Sequence, residues 1–285
     1  MTTVAIIGPG RVGTLLAVAF ARAGHRVTAT AGGSQGARAA IAELVAGVRP
    51  ERLPADAARR AALVVLAVPD DALAQVVTDL AVAGSVGEGH RVVHVAGSHG
   101  LGPLERAAAC GARVAACHPA MTVPTGARDP GLLVGTAWAV TAPPPDRDWA
   151  HALVHDLGGD PHDVGDDVRT LYHAGLSVGA NAVGAAVAAA RQLLIAARVD
   201  DPKAFLDPLV RASVANVTDH GAVALTGPIA RGDVGTVSAH RAAIAADVPE
   251  LLAAYESLAR ATLAPVAVAL APEVVRALEE AIAGR

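Results

Sequence analysis

The residues best suited to chemistry begin near the N-terminus, in a glycine-rich loop that reads Gly8-Pro9-Gly10-Arg11-Val12-Gly13. An apolar run at residues 3–7 predicts a strand before this loop, and residues 12–23 predict a helix after it, closed by Gly24. In that setting the first glycine permits a tight turn, the second lets a pyrophosphate approach the backbone, and the third allows close helix–strand packing. The helix N-terminus supplies free N–H groups and a positive dipole end. The loop therefore predicts dinucleotide binding.

The end of the second predicted strand, residues 26–30, bears on the choice between NAD and NADP. An NAD site usually places Asp or Glu about 20 residues past the loop, where it binds the ribose hydroxyls. Here the chain has no acid and reads Ala31-Gly32-Gly33-Ser34. Ser34 can hydrogen-bond a 2′-phosphate, and Arg11 and Arg38 can neutralise it, although both arginines also read as ordinary surface charges. The sequence favours NADP over NAD.

Two further segments follow predicted strands and are expected at the same edge of the sheet. Val68 and Pro69 end a buried run at residues 63–68, and Ser98 and His99 follow the run at residues 91–95. In an open parallel sheet the carboxyl ends of the strands face the ligand crevice. We expect Val68 and Pro69 to flank the nicotinamide ribose and Ser98 to contact substrate.

Three polar residues share helical spacing in the second half of the chain. His173, Ser177 and Asn181 stand at i, i+4 and i+8 of a predicted helix over residues 168–198 and so lie on one face. Histidine suits general acid catalysis because its ordinary pKa of about 6.5 lies near working pH. We expect His173 and Asn181 to be catalytic and Ser177 to bind substrate. The alternative is that all three are satisfied at a helix–helix or dimer contact.

Other histidines and the cysteines are less distinctive. His118 follows a strand predicted at residues 113–117 and precedes Pro119, so it is a third catalytic candidate; the alternative is a core or turn-stabilising histidine. His94 lies inside a strand and is expected to be a satisfied core residue. Cys110 and Cys117 lack metal-ligand spacing, so core cysteines are expected and no metal site is predicted.

A second polar cluster lies near the C-terminus and comprises Arg231, Asp233, Thr236 and His240. Asp233 is expected to cap a helix over residues 234–246, and Thr236 and His240 are i, i+4 on that helix. Arg231 has the geometry to bind a substrate carboxylate with two hydrogen bonds. All four are assigned to substrate binding, against the alternative of a salt-bridged loop that fixes two helices.

The periodicity of apolar residues predicts the helices and strands that position these residues. Short apolar runs alternate with helical patterns through the first half, and from about Asp166 the strand-like runs stop. This predicts an α/β chain with an N-terminal Rossmann fold, a doubly wound parallel sheet, over residues 1–165. An all-α substrate or dimerisation domain follows over residues 166–285. Small residues on the long helix, among them Gly175, Gly179 and Gly184, suit a homodimer core or internal packing.

Composition excludes several classes of protein. A formal charge of -4 with no basic run argues against nucleic-acid binding. Two cysteines and no signal-like N-terminus favour the cytoplasm. The uncharged stretch 174–190 is rich in Ala and Gly and predicts a buried helix rather than a membrane span. Lys203 is the only lysine, so a catalytic lysine could stand nowhere else.

Taken together, these motifs resemble Rossmann-like bacterial oxidoreductases with a C-terminal helical domain of unknown function, within the 6-phosphogluconate dehydrogenase, ketopantoate reductase and pyrroline-5-carboxylate reductase superfamily. Besides the glycine loop, the distinctive segments are residues 67–71, 93–98, 118–119, 171–174 and 225–233. The resemblance implies NADP-dependent reduction of a small carbonyl or imine between two domains, often in a homodimer. Ketopantoate, reduced to pantoate, is the most specific substrate it suggests.

One departure from that pattern changes the expected mechanism. Ketopantoate reductases carry a catalytic lysine early on the long helix, where residues 169–177 of this chain have none. A histidine is therefore expected as the acid. Two alternatives stay open: an imine reductase of the pyrroline-5-carboxylate type, whose substrate needs less help from a protein acid, and a non-catalytic NADP sensor or structural protein.

Overall fold

The computed structural model describes all 285 residues and divides into two compact units, Met1–Ser177 and Val178–Arg285. The division falls further along the chain than the expected boundary at residues 165/166. The first unit holds one eight-stranded sheet in the order β3-β2-β1-β4-β5-β6-β7-β8. Its strands are β1 Thr3–Ile7, β2 Arg26–Ala31, β3 Arg49–Pro50, β4 Leu63–Leu66, β5 Arg91–His94, β6 Arg113–Pro119, β7 Ala137–Thr141 and β8 Asp160–Asp163.

Helices cover both faces of this sheet, which confirms the predicted Rossmann architecture. The helices of the first unit are α1 Arg11–Arg22, α2 Gln35–Leu44, α3 Pro54–Ala58, α4 Asp70–Val82, α5 Glu105–Ala109, α6 Arg147–Asp156 and α7 Arg169–Ser177. Strand alternation divides the core in two. Val65 of β4 packs on the face covered by α1 and α6, while its neighbours Val64 and Leu66 pack on the face covered by α4 and α5.

The sequence predicted a parallel sheet, but the structure contains one antiparallel pair of strands. β7 runs antiparallel to β6, pairing Ala116 with Thr141 and Pro119 with Trp138, before β8 continues parallel to β7. The elements β3, α3, α6 and β8 were not predicted. Most of these elements are short. The Asp-rich β8, at the sheet edge, also lacks the apolar run that marks a buried strand.

The second unit is all-helical, as predicted. It contains a π turn at Val178–Ala182 and the helices α8 Val183–Ala196, α9 Pro202–His220, α10 Pro228–Arg231, α11 Val234–Asp247, α12 Leu252–Val266 and α13 Pro272–Ala283. Its core joins α10 to α13 through apolar side chains such as Val237, Leu263 and Leu278. Helices α8 and α9 contribute nothing to that core.

The expectation of a buried helix at residues 174–190 is wrong for the single chain, because no residue of that stretch is buried. Two helical stretches, Asp166–Ala196 and Pro249–Ala269, are long and apolar enough to cross a membrane by length and composition. Length and composition alone do not establish a membrane span, since core helices of water-soluble proteins meet the same criteria. Cys117 is buried as expected, but Cys110 is exposed at the end of α5, which corrects its assignment as a core residue.

Candidate active site

The phosphate loop has the geometry that its sequence predicted. Gly8 adopts φ +100°, and a Cβ there would collide with the Ala67 carbonyl at the end of β4. Gly13 packs so closely on the Gly8 carbonyl that it too excludes a side chain. Nothing lies within 4 Å of a Cβ built on Gly10, the N-cap of α1, and no side chain caps that helix. The backbone N–H groups of its first turn are therefore accessible to an anion, which fits a dinucleotide pyrophosphate.

The loop after β2 lies directly beside the phosphate loop. A Cβ on Gly33 would approach the Pro9 ring at 3.1 Å. Ser34 is the N-cap of α2 and accepts a hydrogen bond from the Ala37 N–H at 3.1 Å. Arg38 donates to the carbonyls of Gly32, at 3.1 Å, and Gly33, at 2.7 Å. Two of the three predicted 2′-phosphate ligands, Ser34 and Arg38, thus hold this loop in shape, and the Ser34 hydroxyl keeps its proton free to donate.

Arg11 opens α1 and is exposed, and its guanidinium donates to the Val123 carbonyl at 3.3 Å. Val12 is partly buried against the core behind the loop. At the end of β4, Val68 packs on the α4 side of the sheet and Pro69 is the N-cap of α4. The structure therefore brings the cofactor candidates of the sequence together along one edge, formed by the carboxyl ends of β1, β2 and β4.

Ser98 belongs to a hydrogen-bonded group at the same edge. Its hydroxyl donates to Asp70 Oδ2 at 2.8 Å and lies 2.8 Å from His99 Nδ1. His99 Nδ1 is also 3.4 Å from Asp70 Oδ2. Asp70 was not predicted as a site residue, although its place directly after Pro69 at the end of a parallel strand could have indicated it.

His118 and His173 meet beside Gly97, as their assignment to one site requires. Their ring centroids are 5.9 Å apart in an edge-to-face arrangement, and a Cβ on Gly97 would collide with both rings. His118 Nδ1 lies 2.9 Å from the Tyr172 hydroxyl. Tyr172 is a functional candidate that sequence reasoning missed, because the helical spacing selected His173 and its i+4 and i+8 partners instead.

The charge state of His118 follows from its surroundings. Burial lowers its pKa to about 4, helped by the positive charge of Arg169 and by His173. The imidazole is therefore neutral near pH 7, and it can donate or accept a hydrogen bond but cannot act as an imidazolium acid. Tyr172 remains protonated at that pH, since burial raises its pKa and Arg169 opposes this only in part.

Arg169 organises the loop after β5 from the interior. Its side chain is 1% exposed and donates hydrogen bonds to the carbonyls of Ala96 and His99, each at 3.0 Å. It also donates to the Ala139 carbonyl on β7 at 3.1 Å and to Thr141 Oγ1 at 3.3 Å. All four acceptors are neutral, so the guanidinium is buried without a paired carboxylate. No sequence pattern distinguished this arginine from a surface one.

His94 is the satisfied core histidine that the sequence predicted. It is fully buried, with Nε2 2.7 Å from the Gly100 carbonyl and Nδ1 accepting from the Ala96 N–H at 3.2 Å. This pairing fixes the tautomer with the proton on Nε2. Burial lowers its pKa to about 4, so it is neutral at physiological pH.

Two other residues of the predicted helical face lie where α7 ends. Ser177 is the last residue of α7, and Asn181 lies in the π turn that opens the second unit. A spacing of i, i+4 and i+8 places residues on one face only in a regular α-helix. A π turn holds more residues than an α turn. The α-helical spacing therefore stops at Ser177.

The residues of the second polar cluster all lie in the second unit. Arg231 donates to Asp233 Oδ2 through Nη2 at 2.9 Å and Nε at 3.2 Å. Asp233 stands at the N-cap position of α11, as expected, but its side chain makes no capping hydrogen bond. Thr236 and His240 are exposed on α11, and His240 Nδ1 lies 3.4 Å from the Tyr255 hydroxyl. No group of three or more His, Cys, Asp or Glu side chains is arranged to hold a metal ion.

Comparison with known proteins agrees with this architecture. Residues 1–119 match the family model of a Rossmann-like domain, and residues 136–262 match a domain of unknown function, DUF2520. The chain is a Rossmann-like domain followed by a DUF2520 domain. The DUF2520 match begins just before β7, so β7, α6 and β8 fall within it. The predicted resemblance to Rossmann-like proteins with a C-terminal domain of unknown function is confirmed.

Similar solved structures cover nearly the whole chain. A Bacteroides fragilis protein assigned as an NADP oxidoreductase is 22% identical with a TM-score of 0.78, over 92% of this chain and 98% of that one. An imine reductase from Streptomyces aurantiacus is 19% identical with a TM-score of 0.63, over 99% and 93%. Pyrroline carboxylate reductase from Plasmodium falciparum, with NADP bound, is 15% identical with a TM-score of 0.58, over 92% and 97%. These likenesses establish the fold. No curated protein matches the chain.

Proposed function

We propose that this protein is an NADP-dependent oxidoreductase that reduces a C=O or C=N bond in a small molecule. The observation that carries the proposal is that two features meet at one edge of the sheet. There the accessible N-terminus of α1 lies in the same compact unit as a neutral His118, Tyr172 and His173 grouped at Gly97. A phosphate loop alone requires no such group, whereas reduction requires polar side chains that hold and protonate the substrate.

The cofactor would be held by residues already in place. The N–H groups at the start of α1, from Gly10 onward, would bind the pyrophosphate, and Val68 and Pro69 would flank the nicotinamide ribose. Ser34 and Arg38, with Arg11, would bind the 2′-phosphate, and the absence of an acid after β2 supports NADP over NAD. When bound, the cofactor supplies the hydride.

The chain's side chains would orient and protonate the substrate. His173 and His118 are the proposed catalytic groups of the first unit, with Ser98 binding substrate beside them. Asn181 and Ser177 keep their proposed catalytic and substrate-binding roles. Arg231, Asp233, Thr236 and His240 keep their proposed substrate-binding roles. A substrate carboxylate would bind Arg231 and would have to displace Asp233 from it.

Two substrate classes compete. Ketopantoate remains the specific keto acid that the family resemblance suggests. A cyclic imine of the pyrroline-5-carboxylate type is the second candidate, favoured by the missing lysine and by the imine and pyrroline carboxylate reductases among the similar structures. An imine is more basic than a ketone, so it needs a weaker acid from the protein.

The test is to measure NADPH binding and then NADPH oxidation with ketopantoate, pyrroline-5-carboxylate and related keto acids and cyclic imines. Turnover of one class, with at least a tenfold loss in His173→Ala at unchanged NADPH affinity, would support the proposal. Binding of NADPH with no turnover of any compound would overturn it and favour the sensor. Failure to bind NADPH would overturn both.

We further propose that the protein works as a homodimer in the cytoplasm. Both cysteines are free thiols, as in a reducing compartment. Exposed apolar side chains line α8 and α9, including Ile195, Phe205 and Leu209, the last two each 62% exposed. Soluble monomers rarely leave large apolar patches uncovered, and a second copy of the chain would cover this one.

A further inference from the structure

Neutral His118 has no imidazolium proton to give, and the hydroxyl beside it belongs to Tyr172. We propose that Tyr172, hydrogen-bonded to His118 beside the buried Arg169 guanidinium, delivers the proton to the oxygen of a carbonyl substrate. This inference rests on the proposed function and names the proton donor of that reaction. His118 and His173 then position the phenol and the substrate.

Tyr172 and His118 form a hydrogen-bonded pair of rings. The Tyr172 hydroxyl lies 2.9 Å from His118 Nδ1, and the two rings meet edge-to-face with centroids 5.9 Å apart. In the Nδ1–H tautomer, His118 donates to the phenolic oxygen and leaves the Tyr172 proton free for another acceptor. That hydrogen bond strengthens as negative charge develops on the phenolic oxygen, because charged acceptors bind more tightly than neutral ones.

Positive charge from Arg169 lies beside the Tyr172 ring. The Arg169 guanidinium carbon lies 5.8 Å from the Tyr172 ring centroid, and all its hydrogen bonds go to neutral oxygens. Its charge is therefore not cancelled by a bonded carboxylate and stabilises a phenolate nearby. Asp166, the neighbouring acid on the same stretch of chain, instead accepts from the Leu101 N–H.

Alternative donors are weaker. His118 is neutral at working pH, and a neutral imidazole N–H is a far poorer acid than a phenol. His173 makes no hydrogen bond to the protein, so nothing in the structure orients its N–H groups, whereas the Tyr172 hydroxyl is held by His118. The charged and titratable groups that face the pair are Arg169 and His173 from α7, His94 from β5 and Asp70 from the start of α4.

In the proposed step, proton transfer from Tyr172 accompanies hydride transfer to the substrate. The carbonyl carbon accepts a hydride, the C=O π electrons move to oxygen, and that oxygen takes the Tyr172 proton. The products are an alcohol, the oxidised nicotinamide and a Tyr172 phenolate held by His118 Nδ1–H and Arg169. Water then returns a proton to the phenolate.

The kinetic test compares two substrates in Tyr172→Phe, which keeps the ring and removes only the hydroxyl. A carbonyl substrate from the NADPH screen needs a proton, whereas an N-alkyl iminium salt accepts hydride without one. We expect kcat to fall about 100-fold or more on the carbonyl and to change by less than about threefold on the iminium. An equal loss on both substrates, or no loss on the carbonyl, would overturn the proposal.

A spectroscopic test needs neither cofactor nor substrate. The chain has two tyrosines, so in Tyr255→Phe the phenolate absorbance reports Tyr172 alone. We expect its titration midpoint to lie above the ordinary tyrosine value. The midpoint should rise further in Arg169→Met but not in Arg169→Lys. Circular dichroism checks that both variants are folded. A midpoint that Arg169→Met leaves unchanged would overturn the proposed coupling. Absence of NADPH turnover by the parent protein would instead contradict the proposed function, so the two failures are distinguishable.

Discussion

The rings of His118 and His173 meet edge-to-face with centroids 5.9 Å apart, and the backbone of Gly97 passes directly beside both. A methyl group on Gly97 would collide with Cδ2 of His173 and lie 2.9 Å from Nε2 of His118. Gly97→Ala should therefore displace the two rings, destabilise the protein by about 1–3 kcal/mol and reduce NADPH-dependent turnover by about tenfold or more. Urea unfolding and steady-state kinetics measure the two effects.

Gly102→Ala is the matched control for that change. Gly102 opens the short helical turn Gly102–Leu104, and nothing lies within 4 Å of a Cβ built there. Its alanine variant should keep parental turnover and stability within about 0.5 kcal/mol. If Gly97→Ala behaves like Gly102→Ala, the two histidines are not held by this contact.

Stability should depend on pH through His94. Its pKa is about 4 in the folded protein and near 6.5 in the unfolded chain, so the unfolded state binds more protons between those values. The stability that neutral His94 provides is complete above pH 6.5 and is lost as pH falls toward 4, by up to about 3 kcal/mol. His118 contributes in the same window and direction.

Urea unfolding at a series of pH values measures this loss. His94→Gln, which cannot titrate, should lower stability at pH 7 and flatten the slope between pH 6.5 and 4 relative to the parent. His155→Gln, on the exposed side of α6, should keep the parental slope. A parental slope in His94→Gln would mean that His94 is not the group whose protonation destabilises the fold.

Cofactor preference should depend on Arg38. Its guanidinium holds the carbonyls of Gly32 and Gly33 and lies next to Ser34, where an NADP 2′-phosphate is proposed to bind. Arg38→Ala should weaken NADPH binding about tenfold or more and change NADH binding much less, because only NADPH carries that phosphate. Isothermal titration calorimetry measures both affinities.

Arg26→Ala removes an exposed arginine from β2 in the same unit and should leave the NADPH to NADH ratio unchanged. Ser34→Ala should also reduce the NADPH preference, with a loss of about 1 kcal/mol of stability because Ser34 caps α2. An NADH preference in the parent that survives Ser34→Ala would contradict the NADP assignment.

The phosphate loop could be located from the sequence because its glycines are required by the local backbone geometry. Gly8 needs positive φ, and Gly13 needs space beside a carbonyl. These requirements act within a few residues and are visible in the order of the amino acids. The same holds for the buried strands β1 and β4, whose continuous apolar runs are typical of a parallel strand covered on both faces.

The parts that sequence reasoning missed depend on distant residues. Arg169 becomes a buried organiser only because the carbonyls of Ala96 and His99, from the loop after β5, and of Ala139, from β7, converge on it. Tyr172 matters through His118, 54 positions away. The antiparallel β7 and the edge strand β8 are decided by pairing with neighbours rather than by their own composition.

Self-association should depend on the apolar face of α9. Leu209 is 62% exposed there, and Leu209→Asp would place a charge in the proposed dimer contact, where it would lack a partner. We expect the parent to sediment as a dimer in analytical ultracentrifugation and Leu209→Asp to shift toward monomer. Leu53→Asp is the matched control, since Leu53 is 56% exposed just before α3 in the first unit, and it should stay dimeric. A monomeric parent would contradict the homodimer, and a dimeric Leu209→Asp would place its contact away from this face.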